Sequence, residues 1–71
     1  MTTTKAESLG KRVAAIRKRK GLSLRDVATA GGLSHVSVHK IESGVTPSPG
    51  LEVLRSLARG LGVTLASLVK P

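Results

Sequence analysis

Residues 22–44 read LSLRDVATAGGLSHVSVHKIESG and carry the signals for two short helices separated by a glycine-containing turn. Ser23 is a favourable N-cap, because its side-chain oxygen can accept a hydrogen bond from an unpaired backbone N–H at the start of a helix. The first helix is therefore expected over residues 24–30, and Gly31-Gly32 ends it. Ser34 can cap a second helix, so the segment is a helix-turn-helix candidate.

Apolar residues give each of these two helices a face for a core. Val27 and Ala28 face one way in the first helix. Val38 and Ile41, three residues apart, form a stripe on the second, and Gly44 supplies a stop. Both helices are thus expected to present the opposite face to solvent.

The length and composition of the chain limit what it can be. Its 71 residues suit one small domain, and the absence of cysteine excludes disulfides and thiolate metal sites. The absence of aromatic residues argues against single-strand or RNA recognition that depends on base stacking. Twelve Lys and Arg against four Asp and Glu give a net charge of +8, which attracts polyanions. Nucleic acid is the leading partner, and the alternative is a basic surface that only keeps the protein soluble.

Elsewhere the chain predicts three more helices and no second domain. Residues 1–5 are expected to be a disordered tail, and residues 6–71 a single domain whose first helix spans residues 7–20. Ser48-Pro49 predicts an N-cap followed by proline at the first position of a fourth helix. The apolar residues of that helix recur at three- and four-residue steps, at Leu51, Leu54, Leu57, Ala58 and Leu61. Thr64 can cap a last helix over residues 65–69.

The central segment resembles the phage-repressor and Cro-like helix-turn-helix family, also called the XRE family. The resemblance rests on Gly-Leu-Ser before the first helix of the pair, Val-Ala within it, Ala-Gly-Gly-Leu-Ser across the turn and Ile-Glu-Ser-Gly at the end of the second helix. It implies an all-α, compact five-helix, lambda-repressor-like DNA-binding domain with a central helix-turn-helix. It also implies a sequence-specific transcriptional regulator of double-stranded DNA, expected to be a repressor of the Cro/C1 type.

The resemblance implies a structural ion pair as well. Arg17 lies four residues after Val13, at the margin of the buried stripe of the first helix, and Glu42 lies beside Ile41. An arginine and a glutamate at the matching positions of the family pair across the first and third helices. The alternative is that Arg17 and Glu42 are ordinary surface charges.

The second helix of such a motif lies in the major groove with its N-terminal residues at the base edges. Here that helix corresponds to residues 34–43, and the family's base-reading positions correspond to His35, Val36 and Lys40, with His39 adjacent. Lys40 and His35 can donate to guanine, whereas Val36 can contact a thymine methyl group. The alternative for Val36 is a stray apolar side chain or a protein contact.

Phosphate contacts are expected from hydroxyls and backbone N–H groups at helix starts and from one cation beside them. These candidates are Ser23, Arg25, Ser34, Ser37, Ser43 and Thr46. Leu24 departs from the family, which commonly has a glutamine there that helps to hold the DNA backbone. The loop over residues 45–50 also lacks the basic residues often found in the family.

Other functions are weighed against DNA binding. His35 and His39 are four residues apart, but two ligands make a poor metal site, and no catalytic arrangement is recognisable, so no metal, cofactor or enzymatic activity is expected. The rival functions are an antitoxin-type regulator and a protein-binding adaptor, which an exposed Leu24 and Val36 would serve. A cytoplasmic location without a membrane partner is expected, because no segment approaches the roughly 20 apolar residues of a membrane span.

The expected assembly is a homodimer on a two-fold operator, as is usual in the family. Leu65, Leu68 and Val69 could supply an apolar contact between subunits. The alternative is that these three side chains close the core of the monomer itself.

Overall fold

Helices account for most of the chain. The computed structural model describes residues 5–46 and 48–69, with side chains from Leu9 onward. Within these residues there are five α-helices and no strand: α1 Lys5–Arg19, α2 Leu24–Gly31, α3 His35–Glu42, α4 Leu51–Leu61 and α5 Leu65–Val69. Lys5, expected in the tail, is the first residue of α1; residues 1–4, the rest of the predicted tail, lie outside the described part.

The caps of α2 and α3 are those that the sequence predicts. Ser23 Oγ accepts the Asp26 N–H at 2.9 Å, and Ser34 Oγ accepts the Ser37 N–H at 3.1 Å. Gly32 closes α2 in the left-handed conformation at φ 74°, where a side chain would be strained. Thr64 Oγ1 similarly accepts the Ser67 N–H at 3.2 Å at the start of α5.

The start of α4 differs from the prediction. Its N-cap is Gly50 instead of Ser48, and Pro49 precedes the cap instead of occupying the first helical position. The Leu54 N–H donates to the Gly50 carbonyl at 3.0 Å, which is the first bond of the helix. Glycine has a low helix propensity, so the helix begins immediately after Gly50 instead of enclosing it.

One apolar core holds the helices together. Its buried side chains come from all five helices: Val13, Ile16, Val27, Ala28, Val38, Ile41, Leu57, Ala58, Leu61 and Leu68. Leu51, predicted to share the apolar stripe of α4, is instead 54% exposed. The reason is that α4 meets α2 through its second half, around Gly60, so its first turn extends past that contact.

Glycines allow the closest helix contacts. A Cβ on Gly60 would collide with the Val27 carbonyl oxygen, and a Cβ on Gly31 with that of Ser56, so α2 and α4 touch backbone to backbone. A Cβ on Gly10 would lie 2.6 Å from the Ile41 carbonyl oxygen, which fixes the approach of α1 to α3. These contacts set the position of α3 relative to the rest of the molecule.

Long basic side chains bind the carboxyl ends of three helices. Arg12 donates to the Leu68 carbonyl at 2.7 Å, Lys20 to the Leu61 carbonyl at 2.8 Å, and Arg59 to the Gly31 carbonyl at 3.4 Å. Each cation thus meets carbonyl groups that have no partner within their own helix. No helix in the described part of the chain is long and apolar enough to cross a membrane.

Candidate nucleic-acid interface

The outer face of α3 is a short row of exposed side chains. His35, Val36, His39 and Lys40 all lie on the solvent side of the helix. Val38 and Ile41, which are 0% and 2% exposed, hold the opposite face in the core. The 3.6-residue period therefore separates the four predicted base-reading residues from the residues that anchor the helix.

An ion pair fixes the end of α3. Arg17 Nε donates to Glu42 Oε2 at 2.6 Å, and a second guanidinium nitrogen donates to Glu42 Oε1 at 3.0 Å. The third nitrogen donates to the Leu22 carbonyl at 3.0 Å, just before α2 begins. The hydrogen bond from Arg17 to Glu42 raises the pKa of the guanidinium above its ordinary value, although partial burial opposes this. The pair that the resemblance implies is thus present and joins α1, α3 and the α1–α2 turn.

Two hydroxyl groups stand at the amino end of α3. Ser34 Oγ donates to Ser37 Oγ at 3.0 Å while accepting the Ser37 backbone N–H. The first turn of α3 contains no acidic residue. This helix end therefore combines the hydroxyl hydrogen of Ser37 with the positive pole of the helix dipole, a combination that suits an anion.

The α3–α4 loop carries the other predicted phosphate contacts. Ser43 Oγ donates to the Lys40 carbonyl at 3.2 Å, and the Thr46 N–H donates to the same carbonyl at 3.1 Å. The loop is therefore folded against the end of α3. Between them lies an open cleft of about 420 Å³. Its polar lining residues are Ser37, Lys40, Thr46 and Ser48.

The amino end of α2 differs from that of α3. Ser23 and Asp26 form a reciprocal capping box, in which the Ser23 N–H donates to Asp26 Oδ2 at 2.8 Å. The hydrogen bond from the Ser23 backbone, and then that with its side chain, lower the pKa of Asp26 below its ordinary value. Arg25, beside Asp26, is exposed. The predicted phosphate-binding site at Ser23 and Arg25 therefore contains an ionised carboxylate.

Asp26 is not among the predicted site residues, although the pattern Ser-x-x-Asp before an apolar pair is a helix-start signal. The bonds of Arg12, Lys20 and Arg59 were not predicted either, because no local pattern reveals them. Leu24, expected to be exposed, is half-buried and packs against the core. The reason is that Leu24 lies three and four residues before the buried Val27 and Ala28, so the helical period places it on the same face of α2.

The apolar residues of α5 divide between core and surface. Leu68 is fully buried and closes the core of the monomer. For this side chain the structure therefore favours the alternative to a subunit contact. Leu65 is half-buried, whereas Val69 is 51% exposed.

At α3, the described residues contain no group of three potential metal ligands around His35 and His39.

Comparisons with known proteins agree with this arrangement. The sequence profile of the family described as helix-turn-helix domain matches residues 8–69. The HTH-type transcriptional regulator SlrR of Bacillus subtilis is 35% identical over 60 residues, covering 84% of this chain and 40% of SlrR. The HTH-type transcriptional regulator DdrOP3 of Deinococcus deserti is 37% identical over 62 residues, covering 87% of this chain and 47% of DdrOP3. The chain thus spans less than half the length of these two relatives.

Two solved structures resemble the fold of this chain. The biofilm master regulator SinR in complex with DNA has a TM-score of 0.80 and 27% identity, covering 87% of this chain and 98% of that chain. SinR in complex with the SinI protein gives a TM-score of 0.79 and 27% identity, covering 87% of this chain and 60% of that chain.

Proposed function

Because the chain belongs to the helix-turn-helix domain family, we propose that it is a sequence-specific DNA-binding regulator that represses transcription at an operator. In this proposal α3 lies in the major groove, and α2 crosses the DNA backbone. The observation that carries it is the division of α3 into an anchored face and an exposed face. Val38, Ile41 and the Glu42 ion pair fix the helix, which leaves four adjacent side chains free to contact base edges.

The four side chains offer hydrogen-bond donors and one apolar contact. Lys40 and His35 donate to guanine O6 or N7, and His39 lies beside Lys40 on the exposed face. Val36, 49% exposed, contacts a thymine methyl group, because its own methyl groups offer no hydrogen bond. The four together would specify a short half-site.

The predicted phosphate contacts surround this face. Ser34 and Ser37 act at the amino end of α3, where the dipole favours an anion. Ser43 and Thr46 act from the loop that folds against Lys40, and the Ser23 hydroxyl and the Arg25 guanidinium act at α2. These contacts position the protein on the duplex without reading its sequence.

We also propose a homodimer on a two-fold operator in the cytoplasm. A single α3 offers only four base-reading side chains, so two half-sites would supply the specificity that one lacks. The exposed Val69 is the residue of α5 available for such a contact.

The second candidate function is binding to a protein partner, as an antitoxin-type regulator or an adaptor. The SinR–SinI complex favours it, since SinR, part of which has a similar fold, is there in complex with another protein.

Site selection from a random duplex library tests the proposal. An inverted repeat bound about 1000-fold or more tightly than random DNA is expected. Lys40→Gln and His35→Ala should each relax the preference at one base position of each half-site, at a cost of about 1–3 kcal/mol.

Arg55→Gln is the matched control, because Arg55 is an exposed cation on α4, a helix that supplies no proposed base contact. It should leave the selected sequence unchanged. Recovery of no enriched motif, with all binding lost as salt rises, would contradict operator reading. Tight co-purification with a second protein would then favour the protein-partner function.

A further inference from the structure

The amino ends of α2 and α3 differ in charge, and this difference has a consequence for DNA binding. Both helices start at a serine cap whose hydroxyl oxygen accepts a backbone N–H. The first turn of α3 contains no acid, whereas the first turn of α2 contains Asp26. Only α3 therefore presents an unopposed positive pole to an anion.

At α2 the carboxylate occupies a backbone donor that a phosphate would otherwise use. Asp26 Oδ2 accepts the Ser23 N–H at 2.8 Å, and Ser23 Oγ in turn accepts the Asp26 N–H at 2.9 Å. The neighbouring Arg25 is exposed and remains as a donor. Leu24, packed against the core, offers no hydrogen bond from its side chain.

We infer that Asp26 is an affinity-limiting residue, whose negative charge weakens the phosphate contact of Ser23 and Arg25 and so holds down binding to every DNA sequence. This inference rests on the proposed function, because it requires α2 to lie along the DNA backbone. The lowered pKa of Asp26 agrees with it, since the side chain then keeps its charge at neutral pH.

The effect is expected on random DNA and on an operator alike. Phosphate contacts supply nearly all of the affinity for non-specific DNA but only part of the affinity for an operator. A negative charge at one phosphate contact that both complexes share lowers both affinities by the same factor. Asp26 would therefore weaken the hold on random DNA, while the ratio of operator to non-specific affinity is set by the base contacts of α3.

Two matched pairs of proteins test the role of the charge. The first is the unchanged chain against Asp26→Asn, and the second is Asp26→Glu against Asp26→Gln. Glu and Gln both suit the third position of a capping box, so the second pair keeps the cap in either charge state. In each pair the neutral member should bind a random duplex about fivefold more tightly at low salt. The difference should shrink as salt screens the charge.

Glu52→Gln is the control, because Glu52 is an exposed acid in the first turn of α4 and has no part in the proposed contacts. It should change the affinity much less than Asp26→Asn. Equal affinities within both pairs, or equal gains from Glu52→Gln and Asp26→Asn, would overturn the inference. In that case the unchanged protein would still select its operator, whereas a failure of the proposed function would leave no selected operator for any of these proteins.

Discussion

The Arg17–Glu42 ion pair is a single-residue feature that supports the whole interface. Its side chains are only 14% and 11% exposed, so little water can replace either partner. Arg17 also holds the Leu22 carbonyl, at the turn before α2. Loss of Glu42 would therefore leave a poorly hydrated guanidinium and loosen the end of α3.

We expect Glu42→Gln to lower the free energy of unfolding by about 2 kcal/mol, below the 3–5 kcal/mol of a fully buried pair because some exposure remains and Gln keeps one acceptor. For a domain of this size the midpoint of thermal unfolding should fall by about 10 °C. Glu52→Gln, which removes an exposed acid, should change the stability by less than about 0.5 kcal/mol. Equal melting temperatures for the two variants would show that the pair is unimportant.

Val36 permits a second test at the residue scale. Its side chain is half exposed on the outer face of α3 between His35 and Ser37, where an apolar group gains little unless it meets a partner. Replacing the contacted thymine by uracil removes only the C5 methyl group. Binding should weaken by about 1 kcal/mol for the unchanged protein.

The control for this test is Val36→Ala, which shortens the side chain. The variant should respond less to the uracil replacement than the unchanged protein does. If uracil at every thymine of the selected site left the affinity unchanged, the thymine contact would be refuted.

At the scale of the helix, the sequence predicted what local chemistry controls. Ser23, Ser34 and Thr64 cap their helices because a hydroxyl oxygen reaches an N–H three residues ahead, whatever the rest of the chain does. The predicted start of α4 is two residues too early, because Gly50 could lie either inside the helix or at its N-cap. Local preference alone did not decide between these two positions.

Contacts between distant helices could not be predicted in this way. The bond from Arg12 to the Leu68 carbonyl joins residues 56 positions apart, and that from Lys20 to the Leu61 carbonyl joins residues 41 positions apart. Their geometry depends on the packing of whole helices. The Ser23–Asp26 capping box is a different case, because it joins residues three positions apart and the local pattern Ser-x-x-Asp could have predicted it.

The backbone contact between α2 and α4 supports a prediction about these elements. Alanine favours a helix more than glycine does by about 1 kcal/mol, but a Cβ on Gly60 would meet the Val27 carbonyl, a backbone atom that cannot rotate away. We therefore expect Gly60→Ala to destabilise the fold by about 1–3 kcal/mol in urea unfolding.

Gly50→Ala is the matched control, because it adds the same methyl group where no atom lies within 4 Å and where φ is −67°. Its loss of stability should be smaller and should reflect only the poorer N-cap. A Gly60→Ala protein as stable as the unchanged chain would mean that α4 can shift away from α2 at little cost.

For the whole molecule, the net charge of +8 overstates the charge available to DNA. Arg12, Lys20 and Arg59 bind helix carboxyl ends, and Arg17 binds Glu42. Among the residues whose side chains the structure describes, structural bonds therefore engage these four cations. The salt dependence of binding should accordingly reflect contacts near α3 and α2, and not the total charge.

Two lysines allow charge that is used in structural bonds to be compared with charge that is available to DNA. Lys20 donates to the Leu61 and Gly62 carbonyls at the end of α4, whereas Lys40 lies on the outer face of α3. Lys20→Gln and Lys40→Gln lower the net charge equally. Lys40→Gln should reduce the slope of log affinity against log salt by up to about 1 per site, because an ammonium group in the major groove lies between the flanking phosphates, and leave stability nearly unchanged. Lys20→Gln should leave the slope unchanged and lower the free energy of unfolding by about 1 kcal/mol. Equal changes of slope would mean that the protein binds DNA through its overall field, with no preferred face.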